Sequence, residues 1–312
     1  MSILDKQNYI KKNHLFFLPS KRFEVQITDL FDDVWPTITA LKHFRWQLKG
    51  YIECYGDSSN IRIHNKFVEN DDKHNRPNLK HAFCEQNWDD YEFRIAKNLL
   101  INLFAYYEAW CDDVLKCLHI RQNGKKLQFP TTGSDNYISV LSSLHSDTDM
   151  NDYYNIYVNK NSKKYVFAEI NNYLFYYRLF KECRNAIVHN DCIVNNNVIT
   201  AFASICGVSL NRACIPQIPN IDTPILDQKI KFNLYNVVGF SKLILNIVTT
   251  FDNEFIKTRE AKTYFISEIR NFISSNHIQK ITKIIPQLGF KSPSNWNDLV
   301  RMLNGSGCHV VK

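Results

Sequence analysis

Glycine and proline are scarce in this 312-residue chain, nine of each. So few breakers over that length argue against a fold built on many tight turns and favour long helices. The nine cysteines, at 54, 84, 111, 117, 183, 192, 206, 214 and 308, include no Cys-x-x-Cys pair. Neither a zinc ribbon nor a dithiol redox motif is therefore indicated. Their odd number, and the placing of Cys111, Cys117 and Cys183 in apolar segments, suit free thiols acting as small hydrophobes in a reducing cytoplasm. The first twenty residues hold no extended apolar run of the signal-sequence kind. No stretch approaches the roughly 18 apolar residues of a membrane span. A soluble, cytoplasmic protein with no membrane partner is expected. There is no internal repeat.

What is present is the composition of an ordinary globular protein, 45% hydrophobic and 22% charged, long enough to bury a full core. The formal charge is +7, and from Lys257 onward nine basic residues face three acidic ones, leaving +6 in that segment. Such an excess suits a polyanionic partner such as nucleic acid, and equally a solvated lysine-rich helical surface.

Hydrophobic spacing supplies the helices. Phe23, Ile27, Leu30, Val34, Ile38, Leu41 and Trp46 recur at intervals of three and four, predicting one helix broken or kinked at Pro36, or two short ones. Residues 55–80 are polar and read as a long loop. His74, His81 and Cys84 fall there or just after it, match no common metal spacing and lack a fourth ligand. Asp90 to Ile120 predicts a strong helix with two apolar lines, which places it in the middle of a bundle. Glu108 lies on the second line, between Ala105 and Cys111, where a carboxylate needs a partner or a cleft.

Residues 121–135 form a basic, turn-rich loop, and a shorter helix is predicted from Tyr137 to Leu144. Within the polar stretch from His145 to Lys164, YYNIYV reads as a short strand. A central helix runs from Tyr165 to His189, ended by Asn190-Asp191. CIVNNNVITAFASICGVSL reads as a short β-hairpin or an apolar return segment, and 207–228, with Pro216, Pro219 and Pro224, as an extended loop. A long apolar helix covers Phe232 to Ile256. Two or three smaller basic helices follow over 258–312, broken at Pro286-Gly289 and Pro293. The fold class is mainly all-α. Three segments are expected: a largely helical N-terminal extension (1–89), a helical bundle (90–256) and a basic helical C-terminal extension (257–312).

Arginine and histidine stand a few residues apart at three places. Arg76 and His81 lie in a polar loop with a proline directly after the arginine, so nothing rigid holds them. Arg270 and His277 lie outside the main bundle. Arg184 and His189 differ, because at about 100° per residue Ile170, Tyr173, Tyr177, Phe180, Ile187 and Val188 all fall within about 60° of Arg184. That predicts an arginine in the middle of an apolar stripe. Asn185 and His189 are i and i+4, stacked on the flank beside it. A buried arginine must be paired, with Glu108 or Glu182, or face a groove that receives an anion. Helical geometry alone leaves an Arg–Glu pair stitching the bundle as an equal alternative.

The array RNAIVHND resembles the R-N-x-x-x-H signature of the HEPN superfamily of ribonucleases, and YYEAWCDDVL is similar to that family's first core helix, which often carries an acidic residue where Glu108 falls. The likeness covers roughly residues 90–256. It implies an up-and-down bundle that cleaves RNA without a metal or other cofactor, by attack of a ribose 2′-OH on the neighbouring phosphate. By the same likeness Arg184, Asn185 and His189 are catalytic and Glu108 supports them. The residue types suit the chemistry: an imidazole relays protons near neutral pH, and a guanidinium fork holds a phosphate. One motif per chain further implies a homodimer with a composite site. A toxin or abortive-infection role against viruses follows by analogy, with a neutralising or triggering protein partner. A non-catalytic helical module for dimerisation or nucleic-acid binding is the alternative, and a third reading places function in the basic C-terminal segment.

Overall fold

An asparagine or threonine caps five of the ten α-helices among the described residues. In a computed structural model describing residues 14–56, 59–68, 78–120, 144–277 and 279–312, the elements in order are α1 (Leu18–Tyr55), α2 (Asn60–Phe67), a π-helical turn (His81–Glu85), α3 (Trp88–Cys117), α4 (Asn151–Lys160), α5 (Ile170–His189), α6 (Asn196–Ile205), α7 (Leu234–Ile256), α8 (Arg259–Asn276), α9 (Ile281–Gln287) and α10 (Trp296–Gly305). Asn87, Asn195, Asn233, Thr258 and Asn295 each accept a backbone N–H in the first turn of the helix they precede. Asn233 and Asn236 form a reciprocal capping box at the head of α7. No strand occurs among the described residues, only isolated bridges such as Ile193 with Lys229.

The mainly helical class holds, and several local expectations are corrected. Of the two alternatives at Pro36, the single helix is the one found: α1 runs through it. Pro36 and Asp32, whose carbonyl it leaves unbonded, are both on the solvent side. The stretch read as a loop over 55–80 contains α2. YYNIYV is not a strand but part of α4, whose Tyr153 and Tyr157 are i and i+4 and both buried. Of the two alternatives after α5, the β-hairpin does not form: the segment contains the apolar helix α6, capped by Asn195, which accepts from the Val198 N–H at 3.1 Å. The predicted helix from Tyr137 to Leu144 lies almost wholly outside the described residues, as do His74 and Arg76.

α3, α5 and α7 meet at the centre. Phe104 on α3 lies 5.2 Å from Phe240 on α7 and 5.5 Å from Tyr177 on α5, and Phe180 stacks on Phe240 at 4.4 Å. Phe93 touches Phe232 near one end and Trp110 touches Phe251 near the other, so α3 and α7 run in the same direction. α5 runs against them, since the Val166 N–H before it bonds Thr250 while its later residue Phe180 meets Phe240. α7 is long and apolar enough to cross a membrane by composition, with a mean hydropathy of 1.3, which corrects the expectation that no stretch approaches that limit. Its 18-residue apolar window is 72% buried inside the protein, as the central helix of a core is.

One core cluster takes side chains from all three expected segments, including Phe16, Phe17 and Phe23 before α3 and Phe265, Ile284 and Leu303 after α7. Asp252, wholly buried on α7, ties the first segment down by accepting the N–H groups of Phe16 at 2.7 Å and Phe17 at 3.1 Å. A smaller cluster of Leu48, Ile63 and Leu79 builds a separate lobe from the second half of α1, α2 and the π-turn.

Candidate active site

The last turns of α5 carry the residues that the sequence singled out. Tyr173, Tyr177, Phe180, Cys183 and Ala186 are buried there, while Val188 is exposed. Arg184 lies at the border of this apolar face rather than at its centre, with its side chain 23% exposed. Its Nη2 donates to Glu108 Oε1 at 3.2 Å and Oε2 at 3.4 Å, and its Nη1 donates to Asn185 Oδ1 at 3.2 Å. The guanidinium carbon sits 5.9 Å from the centre of the Phe104 ring. Arg184 Nε is buried with no acceptor among the described residues.

Glu108 is 55% exposed, so the apolar line on which it was placed is interrupted: Phe104, Cys111 and Leu115 face inward, Ala105 and Glu108 outward. Pairing with Arg184 offsets what little desolvation this carboxylate suffers. Asn185 Nδ2 in turn reaches Glu182 Oε2 at 3.5 Å. Arg184, Asn185 and Glu108 are thus in one bonded group.

His189 is exposed, the last residue of the helix, and its ring has no bonded partner among the described residues. It stands one turn beyond Asn185 on the same face. The chain then turns through Asp191 and Cys192, both left-handed at φ 47° and 64°, so the left-handed pair falls one residue later than Asn190-Asp191. Cys192 accepts from the Ile230 N–H at 2.9 Å, which fixes the exit from α5 to the segment leading into α7.

Lys181 is a residue that sequence reasoning missed. Burial lowers its ammonium pKa, opposed by Glu182 and Glu108 and reinforced by Arg184 and Arg178. The signal was there in the spacing Arg178, Lys181, Arg184, a row of cations on successive turns of α5. A partly desolvated lysine beside an arginine fork adds to the pull on a phosphate.

Of the other two Arg/His pairs, Arg76 lies outside the described residues. His277 ends α8 in the left-handed conformation, and Arg270 Nη2 donates to the Ser306 carbonyl at 3.1 Å. His81 Nδ1 lies 3.1 Å from Glu85 in the π-turn. Among the described residues no group of three His, Cys, Asp or Glu side chains is placed to hold a metal ion. Two clefts of about 660 and 670 Å³ exist, and neither is lined by Glu108, Arg184, Asn185 or His189. At the candidate site Glu108 and His189 are exposed, and Arg184 and Asn185 partly so. Val188, one turn beyond Arg184, is exposed, as are Ile225 and Leu226 in a loop whose Asp227 N–H and Gln228 carbonyl bond Val194, five residues past His189.

An unencumbered imidazole next to a fixed guanidinium and carboxamide can do proton transfer at a bound phosphate diester, provided a second acid or base is supplied. No family model, no curated protein and no solved structure matches the chain.

Proposed function

We propose that this chain is a metal-independent endoribonuclease of the HEPN type, working as a homodimer whose two R-N-x-x-x-H motifs face one another. The observation that carries the reading is the bonded group Arg184–Asn185–Glu108 at the surface, one helical turn before the exposed His189.

In this reading the phosphate of an RNA strand takes a place on the Arg184 fork, with Asn185 holding the fork's second nitrogen. Glu108 keeps the guanidinium extended in the absence of substrate and gives way to the phosphate. His189 of one protomer removes the proton from a ribose 2′-OH, whose oxygen then bonds to phosphorus. The bond from phosphorus to the 5′ oxygen breaks, and His189 of the second copy gives that oxygen a proton. The products are a 2′,3′-cyclic phosphate and a 5′-hydroxyl end. The apolar side chains Val188, Ile225 and Leu226 are the surface on which the two copies meet.

A nuclease of this kind is harmful when unrestrained, so a toxin or abortive-infection role against viruses, with a neutralising or triggering partner in the cytoplasm, is part of the proposal. The test is growth of cells expressing wild type, Arg184→Ala or His189→Ala, followed by RNA profiling. The proposal expects toxicity and new RNA ends from wild type alone. Cleavage retained by folded His189→Ala protein removes His189 from the mechanism, and a monomer under active conditions removes the composite site.

The Arg184–Glu108 ion pair also favours a second reading, a non-catalytic helical module for dimerisation or nucleic-acid binding in which Arg184 is structural. That reading expects Arg184→Ala to unfold the protein.

A further inference from the structure

Beside the lobe built on Leu48, Ile63 and Leu79, one face of α1 is open to solvent between two contacts, Lys42 over the Trp88 ring at 5.4 Å and Trp35 against Tyr235. At about 100° per residue, Trp35, Lys42, Trp46 and Lys49 fall within about 60° of one another around that helix. Trp46 is 72% exposed, an unusual position for the largest apolar side chain. The His43 ring stacks on it at 6.0 Å, and at the other end of the stripe Trp35 lies 6.2 Å from Tyr235, which is 54% exposed on the first turn of α7.

The charge of this face is positive. Between residues 42 and 66 the sequence carries Lys42, Arg45, Lys49, Arg62 and Lys66 against Glu53 and Asp57. Among the described residues no carboxylate pairs with Lys42, Lys49 or Lys66, all of them exposed. In the C-terminal segment, where most of the net charge sits, three of the nine basic residues are paired with carboxylates, and Lys280, Lys283 and Lys312 are exposed. There Lys257 is tied to Glu254, Lys262 to Asp147 and Asp149, and Arg301 to Asp298.

We propose that the outer face of α1, from Trp35 to Lys49, binds single-stranded RNA, with Trp46 and Trp35 stacking bases and Lys42 and Lys49 holding phosphates. Flat aromatic rings interleaved with cations are what a single strand needs, because every base has a face to stack and every linkage a charge. A membrane surface fits less well, since an interfacial helix buries a continuous apolar face, and here Thr39, Lys42 and Glu53 interrupt it.

The stripe also leads toward the candidate site. Trp35 ends against Tyr235 at the head of α7, and the segment just before that head is bonded to Cys192, three residues past His189. The cleft at that junction is lined by Asp89, Asp90, Glu92 and Asp222 against Lys229 and Lys231, a net negative wall less suited to phosphate than the face of α1. The inference rests on RNA being the ligand, as the proposed function has it, but binding can be read without cleavage.

The experiment uses full-length His189→Ala protein and a fluorescent oligouridine, followed by anisotropy at several salt concentrations. Lys42→Glu with Lys49→Glu in that background is expected to weaken binding roughly tenfold or more, with a shallower salt dependence. Trp46→Ala is expected to weaken it about fivefold or more, and Trp46→Phe to restore most of the loss. These side chains are exposed, so circular dichroism should be unchanged. Affinity that is equal in all variants, or absent in the parent, overturns the proposal. So does a loss confined to vesicles of anionic lipid or to self-association. If the parent binds RNA and the wild type does not cleave it, the nuclease reading fails while this one stands.

Discussion

The Arg184 guanidinium and the Glu108 carboxylate meet across α5 and α3 in a forked pair, at 3.2 and 3.4 Å, with both side chains open to solvent in part. An ion pair this exposed contributes under about 1 kcal/mol to stability. Arg184→Ala, Glu108→Ala and the double variant should therefore each unfold in urea within about 1 kcal/mol of wild type, with a coupling no larger. Under the proposed function Arg184→Ala lowers RNA cleavage by roughly 100- to 1,000-fold while remaining folded. A collapse of stability in that variant favours the non-catalytic reading.

Under the proposed function, His189 serves the chemistry and Asn185 the positioning. His189→Ala removes the proton carrier and should cut the cleavage rate by about 100- to 10,000-fold with no change in melting temperature, because the side chain is exposed and bonded to nothing described. Asn185→Ala frees the guanidinium nitrogen that it holds and should raise the substrate concentration needed for half-maximal rate more than it lowers the rate itself. Single-turnover kinetics distinguish the two effects. Equal losses in both parameters for both variants contradict this division of roles.

Asp252 makes a pH prediction. Burial raises its carboxyl to about 6, against the N–H groups of Phe16 and Phe17, the Ser20 hydroxyl and the Lys21 charge, which all lower it. An acid whose folded pKa is raised contributes stability in full below its unfolded value and loses it as pH rises through about 6. Lys21, lowered to about 8 by burial, contributes in the opposite sense: stability is full above its unfolded value and is lost as pH falls through about 8. Between those two values both groups are charged and both costs are present. Asp252→Asn should remove roughly 3 kcal/mol of pH dependence between pH 4 and pH 7. Urea unfolding of the two proteins at several pH values checks this, and parallel curves refute it.

Long helices were legible in the sequence because three- and four-residue spacing persists over many turns, as in α3, α5 and α7. Short ones were not. In α4 and α6 the pattern spans only ten residues each, and the decision is made by caps and by burial against distant elements, as with Tyr157 under Phe16. The site residues came from spacing plus resemblance, yet the burial of Arg184 was overestimated. An angular stripe says which neighbours share a side, not how far the neighbouring helix extends over it, and α3 leaves Ala105 and Glu108 uncovered. Asp252, Asn253 and Glu254 interrupt an otherwise apolar helix, a visible signal of buried polar partners whose identity depends on chain segments far away.

Burial divides the thiols of this chain. Cys54 and Cys206 are exposed, whereas Cys111, Cys183, Cys192 and Cys308 are buried. Burial pushes the Cys117 thiol up to about 11 and raises those of Cys111 and Cys183 as well, which keeps them protonated and slow. Titration of the native protein with an aromatic disulfide should show Cys54 and Cys206 reacting first and the partly exposed Cys84 and Cys214, raised by desolvation, more slowly; Cys54→Ser with Cys206→Ser should abolish the fastest phase. A fast phase that survives both substitutions means the core opens on the timescale of the assay.

Gly239 lies in the interior of α7, where glycine costs about 1 kcal/mol relative to alanine in an ordinary helix. Here the exchange runs the other way. A Cβ at this position meets the Gln217 carbonyl oxygen at 2.7 Å, the Pro219 nitrogen at 3.0 Å and its Cα at 3.1 Å, all of them backbone atoms of the proline-containing loop laid across the helix. Backbone cannot rotate away as a side-chain end can. Gly239→Ala should gain helix propensity yet lose roughly 1–3 kcal/mol net, because the loop over 216–219 must lift and expose the apolar surface beneath it. Thermal unfolding measures the loss, and faster proteolysis within 211–221 locates it. A variant as stable as wild type means that the loop is held loosely and that the close approach has no energetic weight.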